Sequence, residues 1–186
     1  MHTEIVMAGF GGQGVLLIGK LLAYAGMNAK NEVTWMPSYG PEMRGGTCNC
    51  TVVLSDQPIG SPISKRPDAL IVLNLPSLDK FEDAVRPGGI IVVNTSLINR
   101  LPRRTDVKVV PVAANEIAVE LGNAKAANMV ALGAFLGASG LVDRENVDGV
   151  LAEAFASRPK VVATNQQALR RGYEIGQDHA APVAAR

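Results

Sequence analysis

The stretch Ala8-Gly9-Phe10-Gly11-Gly12-Gln13-Gly14-Val15-Leu16-Leu17 stands near the start of the chain. A short apolar run, Ile5 to Ala8, leads into Gly9-x-Gly11-x-x-Gly14, and apolar residues at helical spacing follow. A polyphosphate-binding turn at the first strand–helix junction of an open α/β sheet is built in this way. Glycines let the backbone turn tightly and approach a ligand closely, and the helix N-terminus offers free N–H groups to an anion. Gly9, Gly11, Gly12, Gln13 and Gly14 are therefore the first candidate ligand-binding residues.

The rest of the chain alternates in the same sense. Strands are expected at Thr3–Ala8, Glu32–Met36 (stopped by Pro37), Thr47–Leu54, Ala69–Asn74, Ile90–Asn94 and Val107–Val112. Helices are expected at Val15–Ala25 and Pro76–Val85, with a Gly- and Pro-dense loop over Pro37–Gly46 and turns over Ser55–Arg66. From Asn115 on the pattern becomes helical: Ala113–Leu121, Ala126–Leu136, Val147–Ala156 behind an N-cap at Asp143, and Gln166–Gln177. The fold class that follows is α/β: a single Rossmann-like open sheet, largely parallel, with helices on both faces and a helical C-terminal part. Residues 1–177 are expected to form one domain and residues 178–186 a disordered tail.

Composition narrows the function classes. A net charge of +1 over 186 residues gives no basic stripe for nucleic acid, and Arg103-Arg104 and Arg170-Arg171 are isolated pairs. No apolar run approaches the ~20 residues of a membrane span, and the N-terminus lacks a signal-peptide core, so a cytoplasmic chain is expected. Cys48 and Cys50, two residues apart on a strand, face one side of it. Without further cysteines they complete neither a zinc site nor an iron–sulfur cluster, and small buried residues are expected there. His2 and His179 stand at the two ends of the chain, so no catalytic residue is expected in it.

The glycine turn lacks the partners of a nicotinamide site. Strand two ends Thr34-Trp35-Met36-Pro37-Ser38 without the Asp or Glu that would hold a ribose, and Glu32 lies at the wrong end of the strand. No Gly-Lys-Ser/Thr follows, so the turn is not a P-loop. The glycines serve either close helix–strand packing or a pyrophosphate without nicotinamide, coenzyme A being the candidate. A second motif, Pro37-Ser38-Tyr39-Gly40-Pro41-Glu42-Met43-Arg44-Gly45-Gly46, sets a hydroxyl, a phenol, a carboxylate and a guanidinium between stiffening prolines and bending glycines. Ser38, Tyr39, Glu42 and Arg44 are candidate binding residues. Arg44 would pair with an anion bidentately, or else brace Glu42 or the backbone.

Together the glycine turn, Met36 to Thr47 and the Asn74-Leu75-Pro76 strand end resemble the gamma subunit of 2-oxoacid:ferredoxin oxidoreductases over roughly residues 3–177. The resemblance implies a complex that oxidatively decarboxylates a 2-oxo acid on thiamine diphosphate. It would pass electrons through [4Fe-4S] clusters to ferredoxin and leave the acyl group on coenzyme A. Thiamine diphosphate and the clusters would belong to alpha and beta subunits and, in some assemblies, a delta or ferredoxin-like subunit. The gamma chain would help hold coenzyme A and close the active site. Within the family the Pro37-to-Cys50 stretch is most similar to 2-oxoglutarate enzymes, with indolepyruvate or pyruvate forms as alternatives. A free-standing nucleotide-binding NAD(P)-type reductase module is the reading from a different class.

Overall fold

The computed structural model describes residues 1–39 and 47–180, with the side chain of Tyr39 left out. In chain order the elements are β1 (His2–Phe10), α1 (Val15–Asn28), β2 (Glu32–Tyr39), β3 (Thr47–Ser55), β4 (Ala69–Val72), α2 (Leu75–Phe81), β5 (Ile90–Asn94), β6 (Lys108–Val112), α3 (Ala114–Glu120), α4 (Ala127–Ser139), α5 (Arg144–Ala154) and α6 (Pro159–Asp178). Short 3-10 turns occupy Glu82–Ala84 and Ala124–Ala126. The strands among the described residues form one sheet in the order β2-β3-β1-β4-β5-β6. β3 pairs antiparallel with both β2 and β1, whereas β1, β4, β5 and β6 pair in parallel. β3 alone is therefore reversed, and the largely parallel sheet expected from the sequence is what forms.

Alternation along β1 sends Ile5 and Met7 into one layer and Val6 and Ala8 into the other. β4 (Ala-Leu-Ile-Val) and β5 (Ile-Ile-Val-Val-Asn) are buried throughout, as strands covered on both faces must be. The first layer packs against α1 and the helices α3 to α6. The second meets α2 through Leu78, together with Val85 and Ile98. α4 is enclosed on every side, with Asn128 through Ser139 all buried. It packs backbone to backbone with α6: Gly133 and Gly137 face the carbonyls of Leu169 and Tyr173, and Gly172 and Gly176 face those of Val130 and Ala134. The small residues of α4 thus serve a close contact within the chain.

Pro37 does not stop β2. The strand runs on to Tyr39, with Pro37 opposite Cys50. β2 is an edge strand, and a proline is tolerated where its missing N–H would face outward. α6 begins at Pro159 rather than near Gln166, because Pro159 fits the first helical turn and the early turns are largely exposed and give no apolar signal. Asp143 stands at the N-cap of α5, but its side chain makes no capping bond. Cys50 is buried and Cys48 half-buried against the same core, and burial pushes the Cys50 thiol up to about 12. Tail residues 181–186 lie outside the described residues.

Behind α2 the buried Glu82 ties down the connection from β5 to β6. Its carboxylate accepts from both Arg100 Nη2, at 2.7 Å, and Nη1, at 3.2 Å, and from the Arg103 backbone N–H at 3.0 Å. Burial alone would raise its pKa, but these donors outweigh burial and hold the carboxyl below the usual glutamate value. A depressed folded-state pKa contributes stability above the unfolded value, lost as pH falls through the folded one. Glu82→Gln is expected to cost about 2–3 kcal/mol in urea unfolding at neutral pH. The gap between variant and parent should close in acid, below the usual glutamate range. A gap that widened in acid would contradict this assignment.

Candidate binding site at the carboxyl edge of the sheet

The connection after β1 leads to α1 on one face of the sheet, and that after β4 leads to α2 on the other. The carboxyl ends of β1 and β4 therefore flank a topological switch point, where open α/β sheets form ligand crevices. The glycine turn lies there. Gly12 (φ +97°) and Gly14 (φ +76°) take left-handed conformations that favour glycine. Gly14 is also the N-cap of α1, and among the described residues no side chain caps that helix or accepts from its first-turn N–H groups. A Cβ on Gly9 would come within 2.7 Å of Gln13 Oε1 and 2.9 Å of a Val15 methyl, so Gly9 serves close packing.

Gln13 is the clamp of the turn. Its Oε1 accepts from the Phe10 N–H at 2.6 Å and from Asn74 Nδ2 at 3.1 Å, and its Nε2 donates to the Leu73 carbonyl at 3.2 Å. Asn74 in turn caps α2 by accepting from the Ser77 N–H. From the other side Asn128 of α4 donates to the Gly14 carbonyl at 3.2 Å. A cavity of about 240 Å³ opens beside the turn. It is lined by Gly12 and Gln13, by Asn94 at the end of β5, by Asn115 at the start of α3, by Asn128 and by Lys125. Asn94 donates to Asn115 Oδ1 at 2.8 Å and to the Leu73 carbonyl, and accepts from the Ala114 N–H. The lining is thus rich in neutral amides, with an exposed lysine at its margin.

Comparison with known proteins bears on what such a site belongs to. Residues 4–175 match the pyruvate ferredoxin/flavodoxin oxidoreductase family. The chain belongs to that family. Ketoisovalerate oxidoreductase subunit VorA of Methanothermobacter marburgensis is 40% identical over 92% of this chain. The chain spans just over a third of that relative, 36% of its length. 2-Oxoglutarate synthase subunit KorC of Methanocaldococcus jannaschii is 34% identical, with 96% of each chain covered. The crystal structure of the gamma subunit of a keto/oxoacid ferredoxin oxidoreductase from Geobacter sulfurreducens superposes with a TM-score of 0.85 at 27% identity, covering 97% of this chain and 99% of that one. The fold is therefore that of a gamma subunit, and nothing in these likenesses supports the NAD(P) reductase module weighed from the sequence.

Within this family fold, the β2–β3 pairing brings Pro37, Ser38 and Tyr39, the described start of the second sequence motif, to the same edge as the first. Tyr39 stands opposite Cys48, Ser38 opposite Asn49, and Thr47 opposite Phe10 at the mouth of the glycine turn. At about 4.8 Å between strands, the end of β2 lies about 10 Å from that of β1. Ser38 is exposed on the edge strand. Gly11 is half-buried and Gly12 exposed in the turn. Glu42 and Arg44 lie outside the described residues. Sequence reasoning passed over Asn94, Asn115, Lys125 and Asn128. The available signal was Asn94 closing the apolar run of β5 and the lone Asn128 within an otherwise small and apolar helix. Among the described residues no helix is long and apolar enough to cross a membrane.

Proposed function

We propose that this chain is the gamma-type subunit of a thiamine-diphosphate-dependent 2-oxoacid:ferredoxin oxidoreductase. There it helps to bind coenzyme A and to close an active site whose thiamine diphosphate and [4Fe-4S] clusters are held by alpha and beta subunits. The end-to-end match to a gamma-sized 2-oxoglutarate synthase subunit carries this reading. The same match favours 2-oxoglutarate as substrate, with succinyl-CoA, CO2 and reduced ferredoxin as products. The higher identity to ketoisovalerate oxidoreductase VorA favours a branched 2-oxo acid as the second reading. Assay of the assembled complex with both acids, comparing kcat/KM, decides between them.

Coenzyme A is a polyanion. The N-terminus of α1 behind Gly12, which no side chain among the described residues caps, suits its phosphates, with Lys125 at the cavity margin. The chain's own part is to bind and orient this co-substrate and to exclude water; the oxidation belongs to thiamine diphosphate and the clusters of its partners. The isolated chain is accordingly expected to reduce no methyl viologen when supplied with 2-oxo acid, coenzyme A and thiamine diphosphate, and measurable reduction would defeat the assignment. Arg44→Ala is expected to impair acyl transfer or assembly well beyond Arg103→Ala, whose exposed side chain is worth little. Equal, mild effects would make Arg44 an ordinary surface residue.

Permanent partners are part of the proposal. Trp35 on β2 and Tyr24 and Met27 on α1 are exposed, and aromatic and Met side chains are enriched in interface cores. An obligate interface of this kind buries more than about 2,000 Å². Expressed alone, the chain should self-associate, and co-expression with alpha and beta subunits should give a defined complex. Sedimentation of the lone chain as a clean monomer that ignores those subunits would restore a free-standing module.

A further inference from the structure

α1 and α5 leave between them a groove of about 490 Å³ that shares no residue with the cavity beside the glycine turn. Leu17, Leu21, Tyr24 and Asn28 recur at helical spacing and give α1 one lining stripe, about 16 Å long at 1.5 Å per residue. Val150 of α5 and Phe155, just past its end, line the other wall. The floor is apolar: Leu21 and Val150 are buried, and Leu17 and Phe155 are half-buried. Tyr24 and Met27, one turn apart on α1, are 46% and 56% exposed. Single large apolar side chains are ordinary on a surface, but two of them beside an apolar groove mark a contact.

The charges on the two walls say what covers the groove. Lys20 lines it from α1 and Glu153 from α5, and both are exposed. Among the described residues neither forms an ion pair, with the other or with any third group. Lys20 Nζ stands over the Tyr24 ring, 5.6 Å from its centre, which keeps the cation at the groove. Further along α5, Arg144 pairs with Glu145 and Asp148. From these placements we propose that a second copy of this chain covers the groove, packed about a two-fold axis with Lys20 of each copy against Glu153 of the other. A two-fold contact is self-complementary, because residue i meets j while j meets i. One pair of residues, used twice, then satisfies both charges. The exposed Tyr24 and Met27 of each copy supply apolar surface to the groove of the other. A partner of any other sequence has to bring a matching anion and a matching cation of its own. Tyr24 and Met27 thereby gain a named partner, and Trp35 on β2 is left to other subunits. The contact rests on the reading of those side chains as an interface and needs no coenzyme A.

Sedimentation of the full chain at rising concentration, as parent and as charge variants, tests this. The parent is expected to dimerise. Lys20→Glu and Glu153→Lys each set like charges at both contacts, so each should weaken dimerisation about tenfold or more. Both positions are exposed, so the variants should match the parent in circular dichroism. Mixing the two variants, or joining both changes in one chain, restores an opposite pair at each contact and should bring the dimer back. Such rescue requires that Lys20 of one copy meet Glu153 of the other. A monomeric parent, a dimer indifferent to both reversals, or variants that stay apart on mixing would overturn the contact. Co-expression with alpha and beta subunits separates this contact from the reading beneath it. Failed rescue, together with a defined complex that K20E abolishes, gives the groove to those subunits, which removes the second copy and leaves the gamma-type reading. A charge-rescued dimer that ignores those subunits keeps the contact and removes that reading.

Discussion

Gly172→Ala is expected to destabilise the chain by about 3 kcal/mol or more. A Cβ at that position would stand 1.9 Å from the Val130 carbonyl oxygen and 2.8 Å from its carbon, both backbone atoms of α4. Backbone cannot rotate away as a side chain can, so the two helices have to separate. α4 has no free side to retreat into, because α1, α3, the sheet and α6 surround it. Overpacking of an ordinary core costs about 1–3 kcal/mol, and a backbone clash in an enclosed helix pair belongs at or above the upper end of that range. Against a typical total of 5–15 kcal/mol this is a large fraction. Gly149→Ala supplies the matched control. Gly149 lies in α5, where a Cβ would have no described residue within 4 Å, so alanine there should be neutral or stabilise by up to about 1 kcal/mol through helix propensity. Urea unfolding of both variants is the measurement. Similar midpoints for the two would mean that α4 and α6 are not in backbone contact.

The second large effect is expected at Gly12, read in function rather than stability. Gly12→Val in the assembled complex should raise the KM for coenzyme A by a factor of ten or more, about 1.4 kcal/mol or more of lost binding, while thiamine diphosphate binding stays unchanged. Two causes have to be separated. Among the described residues nothing lies within 4 Å of a Cβ on Gly12, but the backbone sits at φ +97° and is strained for any L-residue. Gly88, at φ +77° with open space around it, shares the strain and lies in the turn before β5, at the opposite end of that strand from Asn94. Gly88→Val therefore reports the strain alone, and what Gly12→Val loses beyond it reports contact with ligand. Unchanged coenzyme A dependence in a normally folded Gly12→Val complex would reduce the glycines to a packing device.

Much of this architecture was legible because it is written locally. The run Ile90–Asn94 forms the strand expected of it, and Gly11 to Gly14 form the turn between β1 and α1. The errors came where tertiary position overrode local signals: Pro37 reads as a stop unless β2 is known to be an edge strand, and the early turns of α6 bury too little to show a period. The amides around the cavity were hidden for a different reason. Gln13 and Asn128 meet the same turn from positions 115 residues apart in number, and isolated asparagines carry no periodicity. Such a constellation exists only once the crossovers have brought β4, β5 and α4 to one edge.

The backbone contact between α4 and α6 also makes the site hostage to the far end of the chain. α4 touches the glycine turn through Asn128 near its first residue, while along its length four glycine contacts lock it against α6. A helix so held behaves as a key in a slot: sliding by one residue would shift it about 1.5 Å along its axis and put every carbonyl opposite the wrong neighbour. Loss of α6 would therefore free α4 and carry Asn128 away from Gly14, although no residue of α6 lines the cavity. Damage to the carboxyl-terminal helix, whether by truncation or by a bulky graft along its inner face, should be felt first as a loosened turn at the other end of the sequence.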